Sequence, residues 1–333
     1  MSNIVAFLQK AFQSLEGSIA LPMSEMGYFL VRAAKSQSYI ETLGDHADSL
    51  HSWIKKSYEE DFQASFDKQV RKAVSILGVK HARLAFDVTP EPFYGKTSGL
   101  YIIGCEPGKK WSSEFKFATV CLIIRNKQIP LMAFPVRLGN NTSLTIELVK
   151  YCQSLFDKII YATFDRGYYI AELIDYLEAQ NIKYIILVPE KKGTIGEFVN
   201  NTDKLGIYPH EMSYYKDKSS YIPRTHIVVC KGIDEFPWIF ATNMRFKTRV
   251  EYLYYYGRRW QIETNFRVQD EAKIKSKSTS YLIRYFYFLV SLLLHLLWIV
   301  NKNIKYYAPF KKYLDIVEQA MLFDYLEIRG IKA

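Results

Sequence analysis

Two aspartates in the sequence each follow a run of apolar residues and precede a turn. Asp87 closes the segment AFD, and Asp165 closes the segment ATFD. Because Asp is a poor strand former, an Asp at the end of each of two buried strands requires a reason. Two carboxylates brought close together repel each other, and a bound divalent cation relieves the repulsion. Hard oxygen ligands of this kind suit Mg²⁺ or Mn²⁺ rather than zinc.

Such a pair of carboxylates indicates phosphoryl transfer. Two ions about 3.5–4 Å apart stabilise both the attacking and the leaving oxygen of an in-line displacement at phosphorus. Each Asp also has a simpler interpretation on its own. Asp87 in DVTPEP could begin a loop, and Asp165 in DRGYY could cap the following helix. The pairing of the two within one strand order favours the catalytic interpretation.

A third carboxylate is expected from a helix beside the sheet. Tyr256, Arg259 and Glu263 are spaced three and four residues apart, which places them along one helical face. Arg259 can brace Glu263 or meet a phosphate, and Tyr256 can donate a hydrogen bond to one. An ordinary charged helix face with an i,i+4 pair is the alternative.

The strands that must position these aspartates are predicted from the hydrophobic pattern. Apolar, β-prone runs predict strands over 82–88 (followed by a Pro-rich loop), 115–124, 128–136, 158–164 and 183–189, with helices over 144–156 and 170–180. The first three strands suit an antiparallel meander, and the later ones suit parallel crossovers. This order predicts an α/β fold with an RNase-H-like mixed sheet flanked by helices. In such a sheet the end of the first strand lies beside the end of the fourth, so Asp87 and Asp165 should meet.

Three further regions flank or interrupt this sheet. Residues 1–80 are predicted to be a helical N-terminal region, which either binds DNA or only packs on the rest of the chain. Glycines and prolines among short β-prone runs predict a mostly β insertion at about 190–245, before the catalytic helix. Helical spacing then continues from about 247 to 303, so the catalytic domain spans 81–303, and 304–333 remain as a C-terminal tail.

The composition fits a globular protein with a polyanionic partner. The chain has 333 residues, 49% hydrophobic and 23% charged, and a net charge of +10. This excess favours nucleic acid or an anionic membrane surface, although a merely basic protein is the plain alternative. The N-terminus shows no signal-peptide pattern. Four scattered cysteines predict free thiols in a reducing interior and no zinc site.

Residues 285–300 are almost wholly apolar, which leaves two interpretations. The run is shorter than the roughly 20 residues that a bilayer core requires, and Arg284 and His295 bound or interrupt it. A buried core helix is therefore predicted, in preference to a membrane span.

Several segments resemble those of a known family. The spacing Tyr256-x2-Arg259-x3-Glu263 within RRWQIETNF resembles the Tyr-Arg-Glu-Lys signature of the insertion-sequence DDE transposases of bacteria and archaea. DVTPEPFYG around Asp87 and TFDRGYY around Asp165 look like the regions that carry the first and second aspartates of that family. The β insertion and the apolar helix ending in LLWIVN are also similar. The resemblance covers roughly residues 80–303.

This resemblance implies a transposase, an endonuclease that cuts DNA at transposon ends and joins them to target DNA. Asp87, Asp165 and Glu263 would bind two Mg²⁺ or Mn²⁺ ions, and Tyr256 and Arg259 would contact phosphates. DNA and a second copy of the chain, forming a homodimer on DNA, are the implied partners. The cytoplasm, with association to the nucleoid when DNA is bound, is the implied location.

A dense group of basic residues beside the proposed catalytic helix fits DNA contact. It comprises Arg245, Lys247, Arg249, Arg258, Arg267, Lys273, Lys275 and Lys277.

The sequence departs from the family signature at one position, where Asp270 stands in place of the expected lysine. Lys273 and Lys275, on the next turn, are candidates to replace that lysine. A nuclease without strand transfer and a catalytically impaired DNA-binding derivative are the alternative functions.

Overall fold

The computed structural model describes residues 2–11, 23–42, 46–95, 99–105, 110–124, 127–189, 193–212, 214–216, 219–304, 308–328 and 330. Its helices are α1 (Ser2–Ala11), α2 (Met23–Ser36), α3 (His46–Lys56), α4 (Glu59–Leu77), α5 (Asn141–Leu155), α6 (Ala171–Ala179), α7 (Thr194–Asn200), α8 (Arg249–Gly257), α9 (Gln261–Gln269), α10 (Tyr281–Ile304) and α11 (Phe310–Ile328). Its strands are β1 (His81–Phe93), β2 (Ile103–Gly104), β3 (Ser113–Ile124), β4 (Lys127–Val136), β5 (Lys158–Phe164), β6 (Tyr184–Leu187), β7 (Leu205–Glu211), β8 (Tyr214–Lys216), β9 (Ser219–Tyr221), β10 (Arg224–Cys230) and β11 (Trp238–Thr242).

Within the described residues, one nine-stranded mixed sheet organises the chain. The strand order is β2-β3-β1-β5-β6-β11-β10-β7, and β4 also pairs with β3. The pairs of β3 with β1 and β4 are antiparallel, whereas β1 with β5 and β5 with β6 are parallel. The predicted meander and parallel crossovers are therefore confirmed, and so is the α/β fold with helices flanking a mixed sheet. The tip of the β3–β4 hairpin at 125–126 lies outside the described residues.

The first strand differs from its prediction. The Pro-rich segment is not a loop, because β1 continues through Pro90 and Pro92 to Phe93. The parallel ladder between β1 and β5 ends at the pair Ala85 and Thr163, and beyond it β1 continues to pair with β3. Proline lacks an N–H group and is tolerated on the open edge of a strand. Asp87 accordingly lies within β1 rather than at its end.

The β-rich insertion is confirmed, and its strands extend the main sheet. Strand β11 pairs with β6, and β10 joins β11 to β7, all antiparallel. The insertion also contributes the hairpin β8–β9 and the helix α7. Its buried face packs on α8, where Val228 and Phe240 form a cluster with Tyr252 and Tyr256. The insertion thus supports the helix that carries the predicted site residues.

The helical spacing predicted from 247 to 303 is interrupted. Helix α8 leads through a 3₁₀ turn at Arg258–Trp260 into α9, and a second 3₁₀ turn at Asp270–Ala272 ends that run. Residues 273–280, here named the linker, lie between this turn and α10 and contain no helix. Backbone contacts with the N-terminal region hold the linker, since Ile40 N–H donates to Lys275 O at 2.9 Å and Lys275 N–H donates to Ser38 O at 3.2 Å.

The N-terminal helices share one hydrophobic core with the sheet. Phe286 of α10 packs against Phe7 and Phe62, with ring centroids 6.0 and 5.0 Å apart. The Ser65 hydroxyl donates to Phe7 O at 2.7 Å. The C-terminal segment predicted as a tail contains α11, which packs on α2, and Lys35 pairs there with Asp315 at 2.7 Å.

The apolar run belongs to α10, and the prediction of a core helix is confirmed. The stretch Tyr281–Lys302 is long and apolar enough to cross a membrane, but 89% of its most apolar window is buried inside the protein. His295 lies there at 1% exposure, and burial lowers its pKa to about 3, so it stays uncharged. The cysteines are free thiols, with Cys121, Cys152 and Cys230 buried.

We expect the substitution Leu293→Ala to destabilise the protein by about 2–5 kcal/mol, because Leu293 is 0% exposed in α10 and truncation leaves a cavity. Leu138→Ala is the matched control. Leu138 is 75% exposed, so its truncation should change the free energy of unfolding by less than about 0.5 kcal/mol. Urea titration measures both. Equal effects would contradict the placement of α10 in the core.

Candidate active site

The pairing of β1 with β5 brings the two predicted aspartates together. Asp87 and Asp165 each stand two residues beyond the last pair of the parallel ladder, Ala85 with Thr163. The side chain of Asp87 is 19% exposed and that of Asp165 is 37% exposed. Both carboxylates are therefore partly exposed to solvent rather than buried in the core.

The two aspartates do not have the simple roles that could explain them singly. Asp165 precedes a 3₁₀ turn at Arg166–Tyr168 but makes no side-chain capping hydrogen bond to it. Asp87 accepts a hydrogen bond from Val88 N–H at 2.8 Å through Oδ1, which leaves Oδ2 directed elsewhere. Helix capping and loop initiation thus do not account for the pair.

Arg259 bridges the two carboxylates. Its Nη1 lies 3.4 Å from Oδ2 of Asp87, and its Nη2 lies 3.8 Å from Oδ1 of Asp165. Arg259 is only 4% exposed, so solvent and salt screen these two interactions weakly. One positive charge faces two negative charges, and the group retains an excess of one negative charge. Such a group still favours a cation.

Tyr256 holds Arg259 in place. Its phenol accepts a hydrogen bond from Nε of Arg259 at 3.2 Å, and the guanidinium carbon lies 5.5 Å from the centre of its ring. Burial raises the pKa of Tyr256 to about 12, so the phenol is neutral at physiological pH. Tyr256 is 1% exposed and packs against Phe240, with ring centroids 5.1 Å apart.

Local contacts fix the turn that carries Arg259. Helix α8 begins with a capping box, in which Thr248 and Glu251 satisfy each other's backbone N–H groups. At its other end, Nε2 of the buried Gln128 donates to Arg258 O at 2.9 Å and lies 3.4 Å from Arg259 O. Gln128 comes from β4, and nothing in the sequence pattern connects it with residue 259. It is a positioning residue that sequence reasoning missed.

Tyr168 is a second residue that sequence reasoning missed. It follows Asp165 in TFDRGYY and is 4% exposed beneath the two carboxylates. Burial raises the pKa of its phenol well above the usual range, and the charges of Asp87 and Asp165 raise it further. The sequence motif offered a signal, because its tyrosine pair begins three residues after the aspartate.

The third predicted carboxylate belongs to α9. Ile262, at 0% exposure, packs this helix against Ala85 of β1, Cys121 of β3 and Tyr161 of β5. The backbone of Glu263 is therefore held above the strands that carry the aspartates. Its side chain lies outside the described part of the structure. Among the described side chains, no group of three His, Cys, Asp or Glu residues forms a metal site.

The other residues predicted to bind DNA differ in their exposure to solvent. Arg258 is half-buried, and its guanidinium carbon lies 5.6 Å from the centre of the Tyr254 ring. Arg267 and Lys275 are exposed, and Lys273 is half-buried. Asp270, at the signature-lysine position, is exposed at the end of α9, and its carbonyl accepts a hydrogen bond from Gln37 at 2.8 Å.

Comparison with known proteins gives these carboxylates their context. Residues 102–298 match the family profile described as "Transposase DDE domain", which is more than half of the chain. The chain belongs to the DDE transposase family. The match begins after β1, so Asp87 precedes the matched segment whereas Asp165 and Glu263 lie within it.

A solved transposase has a similar fold. It is described as the cryo-EM structure of a piggyBac transposase synaptic complex with hairpin DNA. The TM-score is 0.61 at 14% sequence identity, and the alignment covers 99% of this chain and 79% of that one. Comparison with curated proteins gave no significant match. The structural similarity shows a shared transposase fold over nearly the whole chain, including its N-terminal helices.

In the absence of divalent cations, we expect Arg259→Gln to destabilise the transposase by about 1–3 kcal/mol, because Asp87 and Asp165 then repel each other without a counter-charge. Added Mn²⁺ should recover most of this loss by binding the folded state. Arg224→Gln is the control. Its ion pair with Glu211 is exposed, so its loss should cost less than about 0.5 kcal/mol. Thermal unfolding with EDTA and with Mn²⁺ measures both variants. An Arg259→Gln protein as stable as wild type in EDTA would contradict the bridge.

Proposed function

We propose that this transposase cuts DNA at transposon ends and joins the freed ends to target DNA. The observation that carries the proposal is the convergence of Asp87 and Asp165 on Arg259, just beyond the parallel ladder between β1 and β5. Membership of the DDE transposase family supports the same chemistry. The scissile phosphate would lie on the surface beside these two carboxylates.

The residues present fit a site for two divalent cations. Asp87, Asp165 and Glu263 would hold two Mg²⁺ or Mn²⁺ ions, because carboxylate oxygens suit these cations and one arginine balances only one of two carboxylates. When bound, such ions supply an activated nucleophile and stabilise the leaving oxygen of an in-line displacement. The protein itself positions the strand and neutralises charge, and no covalent intermediate is required.

The arginine–tyrosine pair would orient the DNA backbone. Arg259 would contact a phosphate near the transposon end through its guanidinium group, whose planar donors suit phosphate oxygens. Tyr256 acts mainly by holding this guanidinium, since its ring is buried against the insertion strands. Arg258, Arg267, Lys273 and Lys275 extend the phosphate contacts along the surface beside α9.

The same chemistry suggests the partners and the location of the transposase. DNA is the substrate, and the structural neighbour is described as a transposase bound to hairpin DNA. Because two transposon ends must be paired for joining, we propose a homodimer on DNA. With free cysteines and a net charge of +10, we place the transposase in the cytoplasm, on the nucleoid when DNA is bound.

A nuclease without strand transfer is the second candidate. Asp270 favours it, because an acidic side chain where the family signature has lysine weakens phosphate binding beside the site. A strand-transfer assay with pre-cut transposon ends separates the candidates. Joined products support the transposase proposal, whereas hydrolysis alone supports the nuclease.

The substitutions Asp87→Asn, Asp165→Asn and Glu263→Gln should each lower DNA cleavage by at least about 100-fold, because each removes a charged metal ligand. Affinity for the same DNA should stay within about threefold of wild type, since the changes preserve side-chain shape. Glu211→Gln, on the edge strand β7, is the matched control and should cleave normally. Normal cleavage by the Asp165→Asn variant would show that the proposed site is wrong.

Asp270→Lys tests the departure from the signature. We expect DNA affinity to rise, with the slope of log K against log salt steepening by about one phosphate contact, because the change replaces an exposed acid with a base. Cleavage should rise with it. Asp234→Lys, on the β10–β11 connection, makes the same charge change away from the site. Reduced cleavage in Asp270→Lys alone would indicate that Asp270 has a role of its own.

A further inference from the structure

A cavity of about 240 Å³ lies along the same strand as Asp87 but apart from the carboxylate group. The end of β1, the segment around Tyr39 and the linker at 273–280 enclose it. Its lining residues are Tyr39, Glu91, Pro92, Tyr94, Lys273, Lys275, Ser276 and Arg284. Neither the metal site nor the phosphate contacts of Arg259 involve this cavity.

Hydrogen bonds of Arg284 fix one wall of the cavity. Its Nη1 donates to Glu91 Oε1 at 2.6 Å, its Nη2 donates to Ser276 O at 2.8 Å, and its Nε donates to Ser278 O at 2.8 Å. Its guanidinium also lies over the rings of Phe93 and Phe115, at 5.4 and 4.8 Å. Arg284 thus joins α10, β1 and the linker in one fixed wall.

Glu41 fixes the linker from the other side. One of its carboxylate oxygens accepts hydrogen bonds from the Ser276 hydroxyl and from Lys277 N–H, both at 2.7 Å. The Lys277 ammonium group in turn lies 5.8 Å from the centre of the Tyr39 ring. The N-terminal region therefore holds the lysine-bearing linker against the cavity, in addition to packing on α10.

The charge of the cavity suits a phosphate. Lys273, Lys275 and Arg284 line it, and Glu91 is the one acidic residue among its described lining. Because Glu91 forms an ion pair with Arg284 at 2.6 Å, the net positive charge of the lining comes from the two lysines. The two lysine ammonium groups, which lie two residues apart in the linker, can contact two successive phosphates of a DNA strand.

The aromatic lining suits a base. Tyr94 is 71% exposed and Tyr39 is 38% exposed, and both line the opening. Exposed aromatic faces beside cations are the arrangement on which unpaired bases stack. A volume of about 240 Å³ admits a single nucleotide and excludes a duplex. The chemistry therefore favours one unpaired nucleotide over duplex DNA.

The cavity is also correctly placed for a strand that passes the carboxylates. Asp87 and Glu91 are four residues apart on one face of β1, which corresponds to about 13 Å at roughly 3.3 Å per residue. At the roughly 3.4 Å rise of duplex DNA that distance corresponds to about four base steps, and an extended single strand covers it in fewer nucleotides. A strand with its scissile phosphate at Asp87 can reach the cavity.

We propose that this cavity binds a single unpaired nucleotide of the DNA strand processed at the carboxylate site, with its base stacked on Tyr94 or Tyr39 and its phosphate held by Lys273 and Lys275. The inference rests on the proposed function for its substrate, but the binding itself requires neither metal nor cleavage. The linker would then bind a nucleotide that is no longer base-paired.

Binding of a fluorescein-labelled pentadeoxythymidylate, followed by anisotropy in EDTA, tests the proposal. Tyr94→Ala should weaken this binding by about fivefold or more, because loss of a stacking ring costs that much per base. Tyr58→Ala is the matched control, since Tyr58 is 69% exposed just before α4, does not line the cavity and should have no effect. Equal affinities of the two variants would overturn the proposal.

A second pair of variants tests the contribution of the Lys275 charge to single-strand binding. Lys275→Gln should lower the slope of log K against log salt by about 0.7 for the single strand, whereas the exposed Lys311→Gln should not. Thymidine monophosphate should compete with the pentanucleotide better than inorganic phosphate or thymidine alone. Stronger competition by inorganic phosphate would indicate a simple anion site. A greater loss of duplex binding than of single-strand binding in Lys275→Gln would indicate a general DNA surface, and either result contradicts the proposal.

Separate measurements test nucleotide binding in the cavity and the proposed cleavage of DNA. Asp87→Asn should keep wild-type affinity for the pentanucleotide while losing cleavage. If Tyr94→Ala loses single-strand binding but the wild-type protein cuts no DNA with Mn²⁺, the cavity assignment stands and the transposase chemistry fails. If the wild type cuts DNA and Tyr94→Ala binds like Tyr58→Ala, the cavity assignment fails alone.

Discussion

Two carboxylates held close together repel each other, and the structure around them is organised to hold them there nonetheless. The parallel pairing of β1 with β5 fixes the two backbones, and Arg259 supplies one balancing charge. Its position depends in turn on the ring of Tyr256 and on Gln128, which anchors the turn between α8 and α9. One guanidinium and two carboxylates together carry one net negative charge, which supports the proposal that a divalent cation binds at this edge of the sheet.

The rest of the chain supports that arrangement from two sides. The insertion strands β10 and β11 extend the sheet and pack under α8, which explains why a β insertion precedes the helix of the site. On the other side, the N-terminal helices enclose α10 and reach across through Glu41 to the linker. Residues far apart in sequence therefore share one core, and the N-terminal region contributes to the surface beside the proposed DNA path.

The strand order and the pairing of Asp87 with Asp165 could be predicted because they depend on local periodicity and on a known sheet geometry. The extension of β1 through two prolines could not, because it depends on which edge of β1 is open. The Glu91–Arg284 pair joins residues 193 positions apart and leaves no pattern in the sequence. The same holds for the bond from Gln128 to the turn at Arg258, which depends on how α9 sits on the sheet.

A crystal structure of the transposase grown with Mn²⁺, with an anomalous difference map, tests the central claim most directly. We predict a strong anomalous peak between the carboxylates of Asp87 and Asp165, with Glu263 as a further ligand and Arg259 displaced away from the two aspartates. No peak at this position, with Arg259 still bridging the two aspartates at saturating Mn²⁺, would contradict it. In that case the two aspartates form a structural ion-pair group and the chemistry lies elsewhere.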